Sequence, residues 1–258
     1  MEFFYGEEAV LNDTNIFYLA VVCYGLSAGA LWLRGQGVSF CFLGLGLLAN
    51  AGSALLRLIK AWPLLCLYQE PFLLPLGLAV VTLWLARYRQ KAEAVKIIPL
   101  VALLAIIPVF FPKDFFLPFL KSHSIFSHLF LGFGVAARSC FLAGAVLAGA
   151  FLCAREKAAV PPGFANLLIW GYVFLSLALF AGGTWSYAGW GTLVVWEDAM
   201  VLSFAATWFL YSAFLHLHLN GRWSLKWRAG FALAAGIIVV IFNYWPETGK
   251  FQPPGFFK

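Results

Sequence analysis

The stretch from Ala181 to Asn220, AGGTWSYAGWGTLVVWEDAMVLSFAATWFLYSAFLHLHLN, joins a glycine- and tryptophan-rich segment to a long apolar run. Indole rings settle at the headgroup level of a membrane, and glycine lets the backbone turn and approach a flat ligand closely. The acidic pair Glu197 and Asp198 suits the first turn of the following helix, where the helix dipole favours negative charge. The pattern predicts an external tryptophan-rich segment over residues 182–198, followed by a membrane-spanning helix. An interfacial aromatic belt with an ordinary helix start is the alternative reading.

The composition of the whole chain excludes an ordinary soluble domain. Its 258 residues are 63% hydrophobic and 11% charged, with a mean hydropathy of +0.87, whereas soluble domains carry about 25% charged residues. Apolar runs of membrane-spanning length recur along the sequence, and helices satisfy the backbone of such runs in lipid. We therefore expect an all-α, polytopic membrane helix bundle of about eight transmembrane helices, forming a single integral membrane domain over residues 1–258.

The formal net charge of +6 does not indicate a nucleic-acid partner, because the basic residues are scattered among short connections. In membrane proteins such basic connections mark the cytoplasmic side. The residues that set the inner side here are Arg34, Arg87, Arg89, Lys91, Lys96, Arg155, Lys157, Arg222, Lys226 and Arg228. Their positions predict a chain surrounded by membrane lipid, with both termini and the tryptophan-rich segment on the external side.

Eight spans follow from the apolar runs and the connections between them. The predicted spans are 15–33, 39–59, 71–86, 97–111, the run from 126 to the residue before Arg155, 164–181, 198–219 and 229–245. The first is expected to be a retained span, because its leader is acidic and no cleavage-like polar end follows it. Glu70 is expected in the external loop between the second and third spans.

The order of aromatic residues around the opening stretch is more specific than a belt. The residues that carry this order are Trp185, Trp190, Gly191, Trp196, Trp208, Tyr211 and His216. The order resembles the tryptophan-rich WWD segment of the cytochrome c assembly family, the membrane proteins of the CcsA, ResC and CcmC type. Val194 replaces the middle tryptophan of that pattern, and Glu197 replaces its aspartate.

The resemblance implies a haem-handling protein, with haem b as a substrate or a bound ligand. The residues implied in haem binding are Trp185, Trp190, Trp196, Glu197 and Arg138. The run 120–128 resembles the family's approach to a helix that carries an external haem ligand, so His128 and His216 are the implied iron ligands. His123 and His218 are interpreted as polar tips at the membrane interfaces.

Arg138 lies within the predicted fifth span, where a charge costs about 2.5–3.5 kcal/mol on insertion scales. Such a charge requires a partner. We consider a haem propionate or an acidic residue of the bundle on one hand, and backbone carbonyls or a buried water on the other.

Two departures from the family pattern affect its histidines. Asn50 stands where the resemblance places a histidine within the second span, and residues 246–258, PETGKFQPPGFFK, contain none. Each implied haem site therefore lacks one side of its axial pair. Haem could bind with a second ligand from a partner or substrate, it could bind with five ligands, or the scaffold could serve without iron.

Two function classes follow from the resemblance. In the first, the chain presents haem at the external face of a bacterial cytoplasmic (inner) membrane for thioether attachment to apocytochrome c. It would then act as a holocytochrome c synthase together with a Ccs1/ResB-type membrane protein, and the apocytochrome would supply the thiols. In the second, the chain is a non-enzymatic, HemX-like accessory subunit with a reduced or lost haem site. The three tryptophans favour the first class, and the two missing histidines favour the second.

Overall fold

Eight helices make up the described part of the chain. The computed structural model describes residues 13–33, 35–62, 69–88, 90–111, 124–154, 163–196, 198–219, 223–244 and 251, the side chains of Ala61, Ala199, Met200 and His218 excepted. The helices are α1 (Asp13–Trp32), α2 (Gln36–Ala61), α3 (Glu70–Arg87), α4 (Lys91–Phe110), α5 (Ile125–Cys153), α6 (Phe164–Trp190), α7 (Ala199–Leu219) and α8 (Leu225–Tyr244). No strand occurs within these ranges, which confirms the prediction of an all-α bundle of about eight helices.

The helices have the length and composition of membrane spans. Seven helices of the described ranges are long and apolar enough to cross a membrane, and α7 contains a shorter apolar run, Val201–Leu217. Many large apolar side chains face outward, as lipid permits, including Trp32, Leu48 and Phe180. The chain is therefore a multi-span membrane protein.

The longest helix, α5, is the centre of the bundle, and it packs against α3, α4, α6 and α8. Its inward faces carry small residues such as Ala137, Gly144 and Ala148, which let neighbouring helices approach closely. At the α6 contact, a Cβ added at Gly144 would lie 2.7 Å from a methyl of Leu168, and one added at Gly171 would lie 2.6 Å from the Phe141 ring. Small residues therefore determine how closely α6 lies on α5.

A pair of glycines on α8 provides a test of this packing. A Cβ added at Gly236 would overlap the Cβ of Ala145 on α5, whereas nothing lies within 4 Å of one added at Gly230. We expect Gly236→Ala to lower the free energy of unfolding by about 1–3 kcal/mol, because the added methyl pushes α8 off α5. Gly230→Ala is the control, and it should raise stability by up to about 1 kcal/mol through helix propensity. Thermal unfolding in detergent measures both, and equal melting temperatures would contradict the close packing.

Several helix boundaries differ from the predicted spans. The predicted sixth span ends at residue 181, but α6 continues through Gly182 and Gly183 to Trp190, because a glycine weakens a packed helix without necessarily ending it. Helices α4 and α8 begin six and four residues before the predicted spans, at Lys91 and Leu225, so basic residues near the inner side lie on helices. Membrane-spanning length and helix length are not the same quantity, since helices can extend beyond the apolar layer.

Some predictions lie outside the described residues. They concern the acidic N-terminal tail before Asp13, Arg34, Arg89, Arg155, Lys157, Arg222, His123, Glu197 and the C-terminal tail apart from Phe251. The interfacial placement of the His218 side chain also lies outside them.

Candidate functional site

A cavity of about 750 Å³ lies where the ends of four helices meet. The N-terminal ends of α3, α5 and α7 and the C-terminal end of α6 surround it, and its lining is mainly apolar. Trp185, Trp190 and Trp196 all line this cavity, together with Trp208 of α7. The three tryptophans singled out in the sequence are thus brought to one concave surface, which we call the Trp cavity.

The tryptophans belong to a series of aromatic rings that leads into the bundle. The rings of Trp185 and Trp190 meet edge to face with centroids 5.4 Å apart, and Phe130 of α5 lies 6.2 Å from Trp185 and 4.6 Å from Phe204. Gly182 lets the Phe130 ring lie against α6, because a Cβ at this position would lie 2.8 Å from that ring. The cavity wall is therefore fixed by packing to the central helix.

The turn after α6 depends on one glycine and one aspartate. Gly191 adopts a left-handed conformation, φ +73°, and its N–H donates to the Tyr187 carbonyl at 2.9 Å, which ends the helix. Asp198 was expected in the first turn of the next helix, but it precedes α7, and its carboxylate accepts from the Val201 N–H at 3.2 Å. It acts as a helix cap, because the first N–H groups of a helix lack partners within that helix.

Below the Trp cavity, Arg138 forms an ion pair with Glu70. Both residues are buried, with 3% and 1% of their side chains exposed, and the guanidinium carbon lies 4.2 Å from the centre of the Phe204 ring. Gly134 makes room for this arrangement, because a Cβ there would lie 3.1 Å from a Glu70 oxygen and 2.8 Å from Phe204. Of the partners considered for Arg138, the one that pairs with it in the structure is an acidic residue of the bundle, Glu70.

The expectation that Glu70 belongs to an external loop was wrong. Glu70 is the first residue of α3, it is buried, and it lines the Trp cavity, whereas Arg138 does not. A carboxylate beside Pro71 at the start of an apolar run is typical of a helix N-terminus, where both residue types are favoured. That signal in the sequence could have placed Glu70 on α3, but not beside Arg138.

A second cavity of about 350 Å³ lies between α2, α3 and α5, and it contains His128. Arg57 and Gln69 also line it, and we call it the His128 cavity. Gln69 and Leu131 line both cavities, so the two lie side by side at one end of the bundle. The His128 ring stacks on Trp62 with centroids 5.4 Å apart and planes 13° apart. His128 is therefore a neighbour of the Trp cavity.

Comparison with known proteins identifies the family of this chain. The model of the family described as "Cytochrome C assembly protein" matches residues 38–247, which is most of the chain. The chain belongs to the cytochrome c assembly family. The match includes Asn50, both cavities, His128 and His216.

Similar curated relatives are described as cytochrome c biogenesis protein CcsA. One from Prochlorococcus marinus strain MIT 9312 is 33% identical over 81 residues, 31% of this chain and 25% of the relative. One from Cyanidium caldarium is 28% identical over 75 residues, 29% of this chain and 25% of the relative. The chain thus spans about a quarter of the length of the curated relatives it matches. No solved structure gives a significant match.

His216, the second implied iron ligand of this family member, lies apart from both cavities. It is exposed on α7, eight residues beyond Trp208, and its Nδ1 lies 2.8 Å from the Ser212 carbonyl. The Ser212 hydroxyl meets that of Tyr172 at 2.9 Å, and the Trp208 N–H donates to Ser176 at 3.1 Å. If Nδ1 carries the proton, it donates to the carbonyl and leaves Nε2 with a lone pair, the arrangement of a metal-binding histidine.

Asn50 and His216 lie on helices with different packing partners. Asn50 lies on α2, which packs against α1 and α3, whereas α7 packs against α6 and α8. The Asn50 side chain is 1% exposed, and its amide donates to the Tyr24 hydroxyl at 3.4 Å. Asn50 therefore contributes to the packing of α1 on α2. Within the described residues, no three His, Cys, Asp or Glu side chains lie close enough together to hold a metal ion.

Proposed function

We propose that this protein handles haem b in cytochrome c biogenesis and presents it to apocytochrome c for thioether attachment. The observation that carries the proposal is that Trp185, Trp190 and Trp196 line one cavity beside His128. A volume of about 750 Å³ is in the range of ligand pockets, about 300–1,000 Å³. The chemistry of these residues fits haem, because aromatic walls accept a flat apolar ring and imidazole is a common iron ligand.

The chain would bind the haem, orient it and exclude part of the surrounding water from it. Tryptophan faces hold a flat ring by stacking, and the aromatic contacts through Phe130 to Phe204 keep the wall rigid. In the attachment reaction, each cysteine S–H of the apocytochrome adds across one vinyl double bond of the haem. An S–C and a C–H bond form while the S–H and the π bond are lost, so no oxidant or reductant is needed. Holding the ring still would favour this addition.

The proposed setting is the external face of a bacterial cytoplasmic membrane, with both termini external. Basic residues at the opposite helix ends support this orientation, for example Arg87 at the end of α3 and Lys91 at the start of α4. The proposed partners are apocytochrome c, which brings the two thiols, haem, the surrounding lipid, and a Ccs1/ResB-type membrane protein. We assign no catalytic residue to this chain, because the reacting groups belong to the two substrates.

A HemX-like accessory role without enzymatic activity is the second candidate. Two observations favour it: Asn50 is committed to helix packing, and His216 is exposed on the bundle surface. In this role the protein would stabilise or regulate another membrane protein. Absence of haem from the purified protein would favour this second function.

The ultraviolet–visible spectrum of the detergent-purified chain tests the proposed function. We expect a Soret band after haem loading, and we expect His128→Ala to weaken haem binding about tenfold or more, since even changes around a metal ligand cost 10–100-fold. His216→Ala should leave the band of haem in the Trp cavity unchanged, because this residue lies outside both cavities, and a changed band would indicate a separate haem site at His216. His218→Ala is the matched control and should leave the spectrum unchanged. A flat spectrum in every preparation, with or without the partner, would contradict haem handling and favour the accessory role.

A further inference from the structure

The two neighbouring cavities differ in the charged side chains that line them. Glu70 and Asp198 line the Trp cavity, and its described lining residues include no lysine, arginine or histidine. The His128 cavity is lined by Arg57, and by no carboxylate among the described residues. Because Arg138 compensates the charge of Glu70, the Trp cavity is not strongly anionic, but its described lining offers no cation to an anionic group, whereas Arg57 does so in the His128 cavity.

Arg57 belongs to a cluster of charged residues where α1 begins and α2 ends. Its Nε lies 3.0 Å from the Asp13 carboxylate of α1, and the Lys60 ammonium lies 2.6 Å from the other oxygen of that carboxylate. These three residues carry two positive charges and one negative charge. The Arg57 side chain is only 6% exposed, and its guanidinium carbon lies 3.9 Å from the centre of the Phe72 ring. Low exposure keeps solvent from screening this charge.

We propose that the His128 cavity binds the propionate edge of haem through Arg57, while the vinyl edge lies in the Trp cavity. This orientation rests on the proposed function. The ring would cross the boundary formed by Gln69 and Leu131, next to His128. A guanidinium is well matched to a carboxylate, because its planar N–H groups can donate in pairs. The uncharged vinyl edge suits the aromatic wall.

The geometry favours Arg57 over Arg138 for this role. Arg138 pairs with Glu70 and lies off the cavity wall, so a propionate near it would also meet the Glu70 carboxylate. Arg57 lines its cavity directly. Arg138 is the more conspicuous of the two in the sequence because it lies deep in a predicted span, whereas Arg57 lies near the end of α2, where a basic residue is common.

The test compares haem with haem dimethyl ester, which keeps the ring and both vinyl groups but has no carboxylate charge. Each compound is titrated into the detergent-purified full chain and followed at the Soret band. We expect the wild type to bind haem about tenfold or more tightly than the ester, in line with a charge-assisted hydrogen bond. Arg57→Gln should remove this preference by weakening haem binding, with ester binding unchanged, and Arg57→Lys should keep part of it.

Two further variants test whether Arg57→Gln acts through a general loss of positive charge or through a change in how α1 is held. Arg87→Gln removes an exposed arginine at the other end of α3 and should keep the full preference. Asp13→Asn removes the carboxylate that links α1 to Arg57 but keeps the guanidinium, so it should also keep the preference. Equal binding of both compounds by the wild type, or a full preference in Arg57→Gln, would overturn the proposed orientation alone. A wild type that does not change the Soret band of either compound would overturn haem handling, and the orientation with it.

Discussion

Replacing Glu70 by alanine should destabilise the folded protein by about 3–5 kcal/mol, because removing one member of a buried ion pair leaves the other charge without its counterion. Glu70 and Arg138 are almost completely buried, and they join α3 to the central helix α5. The Phe204 ring near the guanidinium compensates only in part, since cation–π contacts contribute about 0.5–2 kcal/mol. The expected result is a sharply lower melting temperature in detergent, or loss of folded protein from the membrane.

A double variant distinguishes the loss of charge pairing from the loss of packing. Glu70→Met combined with Arg138→Met removes both charges and keeps apolar volume, and such replacements of buried pairs are often neutral or stabilising. The double variant should therefore be more stable than Glu70→Ala and more stable than Arg138→Met alone. Glu93→Ala, at the start of α4, removes a carboxylate elsewhere and is the comparison for a single acidic residue. If Glu70→Ala melts at the wild-type temperature, the ion pair does not hold α3 on α5.

The helices and the grouping of the tryptophans could be predicted because both depend on local sequence. Apolar run length predicts a span without knowledge of its neighbours, and alternation across the membrane places the ends of α3, α5, α6 and α7 on matching sides. Trp185 and Trp196 were thus expected near each other before any packing was known. What local sequence could not provide was the point at which α6 ends. The helix continues past Gly182, which packs against Phe130 of α5, a contact that local sequence does not show, and it ends at the left-handed Gly191.

The partners of the buried charges could not be predicted, since each lies on a different helix. Arg138 of α5 meets Glu70 of α3, sixty-eight residues earlier in the chain, and Arg57 of α2 meets Asp13 of α1. Hydropathy marks such residues as requiring a partner but does not indicate which one. The histidines illustrate the same limit. His128 and His216 are equal candidates in the sequence, yet only His128 lies beside the Trp cavity.

Filling the Trp cavity should weaken haem binding without altering a tryptophan or a histidine. Ala205 of α7 lines the cavity, so Ala205→Phe would place a ring in the space proposed for the haem. Ala206 points about 100° away on the same helix and is exposed on the bundle surface. Ala206→Phe is therefore a matched control, with the same added ring in contact with lipid.

We expect Ala205→Phe to reduce haem affinity at least about tenfold, which corresponds to about 1.4 kcal/mol of binding free energy. Ala206→Phe should stay near the wild type, because lipid accommodates an apolar ring. Soret titration of the purified proteins measures the affinity. The amount of cytochrome c with covalently attached haem, detected by haem staining in cells that carry each variant, measures the biogenesis step. Both variants should melt near the wild-type temperature, since the cavity already offers space for the ring. Unchanged haem binding in a well-folded Ala205→Phe protein would place the haem outside the Trp cavity, and His216 on the outer surface of α7 would then be the site to examine.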